Sequence, residues 1–241
     1  MKITKILIIL LILKILVQTS FAEEGHGGFW DFFAKIGFNL GGTMPRPMPS
    51  SISKVESYSP NLNPAIEAEA IKWLSKKVGV STGLRFENKG MKSTASVKEY
   101  SMNFGDFHGK FKGTVDTEMS FNYLGLPVSA HYALMENCFV YAGAYYAYLI
   151  NGEFKGVASD GILNGGNGKI EVNREEYNFS NELRNHDAGL SIGMNFFPYN
   201  EHLLLSLNFN YGLVSVFSSD FNGIEDDMQN VYGKFSVGYL F

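Results

Sequence analysis

The chain has 241 residues, 20 Lys+Arg against 24 Asp+Glu, a formal net charge of −4 and a single cysteine, Cys138. This acidic balance argues against nucleic acid as a partner, and one cysteine excludes any intrachain disulfide. Aromatics at 15%, with 26 Gly and only 7 Pro, suit half-buried strands joined by turns.

The chain opens with Lys2 and Lys5, an apolar run from Ile6 to Val17, and then Gln18-Thr19-Ser20-Phe21-Ala22. Small residues at Ser20 and Ala22 fit a peptidase site, so residues 1–22 are expected to be a signal peptide, with 23–241 as one domain. The alternative is an anchor helix. The run contains Lys14 and falls short of the roughly 20 apolar residues a spanning helix needs, which favours removal. Removal takes three lysines and leaves 17 basic against 24 acidic side chains, a net of about −7. No later stretch is long and apolar enough for a spanning helix, so a membrane role has to come from strands.

Period-two alternation then recurs along the chain. Trp30, Phe32, Ala34, Ile36, Phe38 and Leu40 oppose Asp31, Lys35, Gly37, Asn39 and Gly41. Between Leu62 and Leu74, Ile66, Ala68 and Ala70 oppose Glu67 and Glu69, and Val78, Val80, Thr82, Leu84 and Phe86 oppose Lys77, Gly79, Ser81, Gly83, Arg85 and Glu87. From Phe121 to Tyr132, Leu124, Leu126, Val128, Ala130 and Tyr132 oppose Tyr123, Gly125, Ser129 and His131; Pro127, on the latter face, argues against full ladder pairing there. Cys138 to Ile150 is apolar on both faces, so its inward face is open. Ala188, Leu190, Ile192, Met194 and Phe196 oppose Asp187, Gly189, Ser191, Gly193 and Asn195. Leu203, Leu205, Leu207, Phe209, Tyr211 and Leu213 oppose His202, Leu204, Ser206, Asn208, Asn210 and Gly212. Val231, Gly233, Phe235, Val237, Tyr239 and Phe241 oppose Tyr232, Lys234, Ser236, Gly238 and Leu240.

These segments predict an all-β, closed antiparallel up-and-down transmembrane β-barrel of about eight strands, because each is near the 9 to 11 residues a tilted strand needs. A soluble sandwich also alternates, but it does not sort its connections. Here short turns at Ser75-Lys76, Met135-Glu136-Asn137 and 198–201 alternate with long polar links at Thr43–Asn61, Asn88–Glu118, Asn151–Asn185 and Ser215–Gln229. That layout predicts a bacterial outer membrane, with the short turns and both termini on the periplasmic side. Trp30, Trp73, Tyr199, Tyr211 and Tyr239 are candidates for interfacial aromatic girdles, although such a residue taken singly is more often ordinary packing.

The chain resembles the PorT-like family of outer-membrane β-barrel proteins. Tyr123-Leu124-Gly125-Leu126-Pro127, Ala142-Gly143 with Tyr146-Ala147-Tyr148-Leu149, Asp187 with Gly189 and Gly193, and the closing Val237-Gly238-Tyr239-Leu240-Phe241 carry the likeness. The resemblance implies fold and location, with no established activity for most members. It also implies that Phe241 resembles the signal read by the outer-membrane assembly machinery, which becomes a partner beside the outer-membrane lipid bilayer.

The inward-facing ionisable residues are Lys35, Glu67, Glu69, Lys77, Arg85, Glu87, His131, Asp187, His202 and Lys234. An eight-stranded interior is filled by side chains, so these groups are expected to pair as a salt-bridged plug, or else to line a narrow polar conduit or gate. Catalysis is not expected: His186 and Asp187 are adjacent and point to opposite faces. His26 lacks the spaced companions of a zinc site, and no cofactor is implied. Asp160 to Gly168 reads as a mobile loop without phosphate-binding context, and Glu225-Asp226-Asp227 as a solvated loop or a divalent-cation contact. Three function classes stay open: a non-enzymatic structural or surface-interaction barrel, a small-solute channel, and an accessory of an outer-membrane secretion system, which the PorT-like resemblance suggests, with other envelope or secretion proteins as partners.

Overall fold

A computed structural model describes residues 29–46, 48–104, 107–165, 168–198, 202–221, 223–224 and 227–241. The expected signal peptide, His26, Tyr199, Glu225 and Asp226 lie outside the described residues. Among the described residues the strands are β1 (Trp30–Pro45), β2 (Ile52–Pro60), β3 (Asn63–Trp73), β4 (Val78–Phe104), β5 (Phe107–Met135), β6 (Cys138–Gly165), β7 (Gly168–Asn178), β8 (His186–Phe196), β9 (Leu203–Gly212) and β10 (Met228–Leu240). No helix among them is long and apolar enough to cross a membrane.

Eight strands close a ring in the order β1, β3, β4, β5, β6, β8, β9, β10 and back to β1, every pairing antiparallel. Closure removes the sheet edge, the only way a sheet can satisfy its backbone in hydrocarbon. The faces follow the alternation. Ile36, Ile66, Leu84, Leu126, Leu190, Ile192, Leu207, Phe209 and Val237 are exposed on the outside. A water-soluble protein would not leave so broad an apolar belt uncovered. Lys35, Glu67, Arg85, His131, Asp187, Asn208 and Lys234 are buried inside.

The Cys138 strand, ambiguous in sequence, turns Phe139, Tyr141, Tyr145 and Ala147 inward. Their room comes from β8. A Cβ at Gly193 would sit 2.4 Å from the Tyr141 ring and one at Gly189 2.8 Å from the Tyr145 ring, so glycine lets both rings lie against the wall. Around Pro127 the β4–β5 ladder passes from Thr82↔Val128 to Arg85↔Gly125 without the intervening pairs, while Thr82 Oγ1 donates to the Pro127 carbonyl at 3.1 Å. The proline's missing N–H is the physical reason for that gap.

The long links depart from expectation. Thr43–Asn61 contains β2, Asn88–Glu118 is a continuation of the β4–β5 hairpin, and Asn151–Asn185 holds the rest of β6 and all of β7. Asp160 to Gly165 is therefore strand, not loop. Together β2, β4, β5, β6 and β7 pair in that order as a five-stranded sheet projecting beyond the ring. Its alternation is hidden in the sequence by bulges at Val97/Tyr100 and Lys112/Thr114, which shift the period by one. Glu99 and Asp160 adopt positive φ, 54° and 50°.

Leu207 sits midway along β9 on the outer face. Leu207→Arg is expected to cost about 2–4 kcal/mol of barrel stability, measured by denaturant unfolding in phospholipid vesicles.

Candidate functional site

The interior is layered along the barrel axis. At the short-turn end Phe33, Ile71, Trp73, Phe139, Phe197 and Leu204 pack together, with Trp73 edge-on to Phe139 at 5.5 Å and Phe139 against Phe197 at 5.4 Å. Trp73 is thus an interior residue rather than part of a girdle, because it shares the inward parity of Glu67, Glu69 and Ile71; its Nε1 donates to Asp31 at 2.6 Å. Trp30 and Tyr239 are exposed.

Next comes an ionic cluster. Glu67 Oε2 accepts from Arg85 Nε at 2.6 Å and from Lys234, and Lys35 reaches its Oε1 at 3.5 Å and pairs also with Glu69. His131 Nε2 lies 3.4 Å from Glu69 and 2.8 Å from Ser81 Oγ. Arg85 Nη1 donates to Asn210 Oδ1 at 3.3 Å. Glu67 is therefore the hub, drawing three cations from three strands.

A second cluster stands nearer the long-strand end. Lys89 Nζ donates to Asp187 Oδ2 at 2.9 Å and lies 3.5 Å from Glu87, with the rings of Tyr145 and Tyr123 at 4.8 and 5.1 Å. Asn230 and Tyr145 donate to the same Asp187 oxygen at 3.0 and 3.3 Å, and Asn39 Nδ2 donates to Glu87 at 3.2 Å. Cation–π contact suits a dehydrated ammonium. Sequence reasoning missed Lys89 because a long loop was expected to start at Asn88; its signal was the odd-numbered parity continuing from Arg85 and Glu87.

Two expected members do not join. His202 is exposed in the turn before β9, its Nδ1 2.9 Å from the Leu240 carbonyl and its ring stacked on Tyr239 at 5.4 Å. Lys77 is exposed in the β3–β4 turn. Both lie outside the strands, where alternation no longer dictates direction.

Above Lys89 an apolar cap closes the long-strand end. Phe121, Phe154, Phe179, Leu183, Val216 and Phe217 belong to one buried cluster, with Phe154 and Phe217 edge-to-face at 4.8 Å. The β9–β10 connection is held over the mouth by the Leu183↔Phe217 bridge and by Arg184 Nε, which donates to the Ser215 and Phe217 carbonyls at 3.1 Å. On the projecting sheet Tyr177 donates to the Asp116 carbonyl at 3.0 Å, and burial pushes its phenol above the ordinary tyrosine value. No cluster of metal-ligating side chains occurs among the described residues. His186, stacked on Tyr146 at 5.8 Å on the outer face, and buried Asp187 point apart.

Fold and interior together define a small transmembrane β-barrel. A family model, "Outer membrane protein beta-barrel domain", matches residues 18–218, and the chain belongs to this family, whose members are proteins of the bacterial outer membrane. The match is to the barrel domain rather than to the PorT-like group that the sequence resembles. Among solved structures, Ail, the attachment invasion locus protein of Yersinia pestis, is similar over 88% of this chain and 98% of its own at 11% identity and a TM-score of 0.41. The N-terminal β-barrel domain of Pseudomonas aeruginosa OprF is similar over 89% of this chain and 99% of its own, at 11% identity and a TM-score of 0.34. None of the curated proteins matches.

Removing the hub carboxylate strands Lys35, Arg85 and Lys234 without their shared partner. Glu67→Gln is expected to cost about 3–5 kcal/mol in denaturant unfolding. Adding Lys234→Met to it is expected to recover part of that loss, the sign of a coupled pair.

Proposed function

We propose that this protein is a non-conducting, non-enzymatic barrel that anchors the projecting five-stranded sheet at the cell surface, where the sheet serves as the contact face for envelope or external partners. The observation that carries the reading is the sealed interior: apolar layers of aromatic side chains lie at both ends of a charge-paired core. A solute path would have to part both layers and break several ion pairs at once, and each unpaired buried charge costs several kcal/mol. The channel class is thereby disfavoured. Absence of catalysis is supported by the outward His186 and inward Asp187, and the sorting of short turns from long strands supports the sheet lying outside the cell.

The same reading includes the ends of the chain. Residues 1–22 serve as the export signal removed near Ala22, and Phe241 as part of the motif taken by the assembly machinery. The Phe241 amide donates to the Phe32 carbonyl at 3.0 Å, so the residue also extends the closing pairing of β10 with β1.

Planar-bilayer recording tests the sealed interior on which this reading rests. The purified protein is expected to give no current steps above the lipid background, whereas reproducible single-channel steps would return the channel class. For assembly, Phe241→Ala is expected to lower the heat-modifiable, membrane-inserted fraction severalfold without affecting export to the periplasm.

A further inference from the structure

The wall of the barrel parts between the end of β1 and β2. β3 pairs with β1 as far as Asn39↔Asn63. Beyond that point β1 keeps β10 as its ladder partner out to Pro45, while β2 runs along β4 instead. Across the gap the Tyr58 phenol donates to the Gly41 carbonyl at 2.5 Å.

Behind this tie lies a cavity of about 230 Å³. Its deep wall includes Met91, Val97, Met119 and Phe154, all buried, and its rim carries the exposed Met48 and Val55. The pocket thus has a floor and an entrance.

Three observations define what fits. Four polar groups on the wall are already engaged: Thr43 Oγ1 donates to Asn230 Oδ1 at 2.7 Å, the Thr117 and Tyr177 hydroxyls are 2.7 Å apart, and Tyr177 and Tyr58 donate to backbone carbonyls. A sugar, peptide or anion would lose its water there and gain few hydrogen bonds in return. The volume exceeds the roughly 150 Å³ of an apolar cavity that admits benzene. At the base of the gap, beside the last β1–β3 pair, stand Leu40 on β1 and Leu62 just before β3, at 46% and 74% exposure, on the border of the lipid-facing belt.

We infer that this cavity binds a hydrocarbon chain, inserted tail-first through the gap between β1 and β2. Five methionines, Met44, Met48, Met91, Met119 and Met228, line it. Unbranched and polarizable, they let one pocket accept chains of different length and unsaturation. Chain binding is separate from conduction, because the cavity lies within the apolar cap above the Lys89 cluster and the gap, not the barrel axis, is its door. It extends the display role and does not require it: a chain held here stiffens the projecting sheet at its root.

Photolabelling in phospholipid nanodiscs tests this. Palmitic acid carrying a diazirine near its methyl end is added from buffer, the sample is irradiated, and labelled peptides are mapped by mass spectrometry. In a second arm the same diazirine is carried on the acyl chain of the disc phosphatidylcholine. Label at Met91 or Met119 is expected, and either arm supports chain binding: the first from free amphiphile, the second from the bilayer. Ala95→Trp, which fills the cavity, should reduce that label about tenfold while heat-modifiable mobility stays that of the wild type. Val115→Phe serves as a second block. Label confined in both arms to outward residues such as Leu207 and Phe209, or cavity label unchanged in folded Ala95→Trp and Val115→Phe, would overturn the site. Channel currents from the same protein would contradict the sealed interior and leave this labelling pattern as it is.

Discussion

Four cations and four carboxylates share the inside of a tube whose outside is hydrocarbon: Lys35, Arg85, Lys89 and Lys234 stand against Glu67, Glu69, Glu87 and Asp187 among the described residues. Their pairing constrains everything else. A charge moved to the lipid face, or left unpartnered inside, costs several kcal/mol. Because side chains alternate, a slip of one residue in β3 would turn Glu67 and Glu69 outward and Ile66 and Ala68 inward. The ion pairs therefore fix strand register more than they add net stability.

The apolar layers at either end make that pairing durable. By excluding water they keep the local dielectric low, which strengthens each pair and raises the cost of breaking one. Aromatic side chains thus line both ends of the charged core. Beyond the ring, one face of the projecting sheet carries the cross-strand pair Lys92–Glu118 and the same-strand pair Arg174–Glu176, while the other buries Met119, Phe154 and Tyr177. The outermost strands β2 and β7 carry Lys54, Glu56, Lys169, Glu171 and Arg174, charges that discourage nonspecific strand addition.

Within the bilayer the fold was legible from sequence because lipid enforces the pattern. Leu205 to Asn210 alternates without exception, and so do Glu67 and Glu69 with Ala68 and Ala70. Beyond the belt that pressure ends: both faces of a solvated strand tolerate Ser, Thr, Lys and Glu, and bulges at Val97/Tyr100 and Lys112/Thr114 shift the parity, so β2, β7 and the outer halves of β4 to β6 read as loops. Lys89 fell on the wrong side of that boundary. The inward placement of His202 and Lys77 failed for the opposite reason, an alternation carried one residue past the end of a strand. Cys138 to Ile150 needed three dimensions, because only the glycines of β8 reveal which aromatic face is inside.

Single-cysteine labelling along β9, in a Cys138→Ser background and in vesicles, tests the facing and the seal together. A lipid-embedded thiol reagent should reach Leu205→Cys, Leu207→Cys and Phe209→Cys, and a small water-soluble maleimide should reach neither these nor Ser206→Cys, Asn208→Cys and Asn210→Cys. Rapid aqueous labelling at 206, 208 and 210 would mean an open lumen, and lipid labelling at those positions would mean that the faces are reversed.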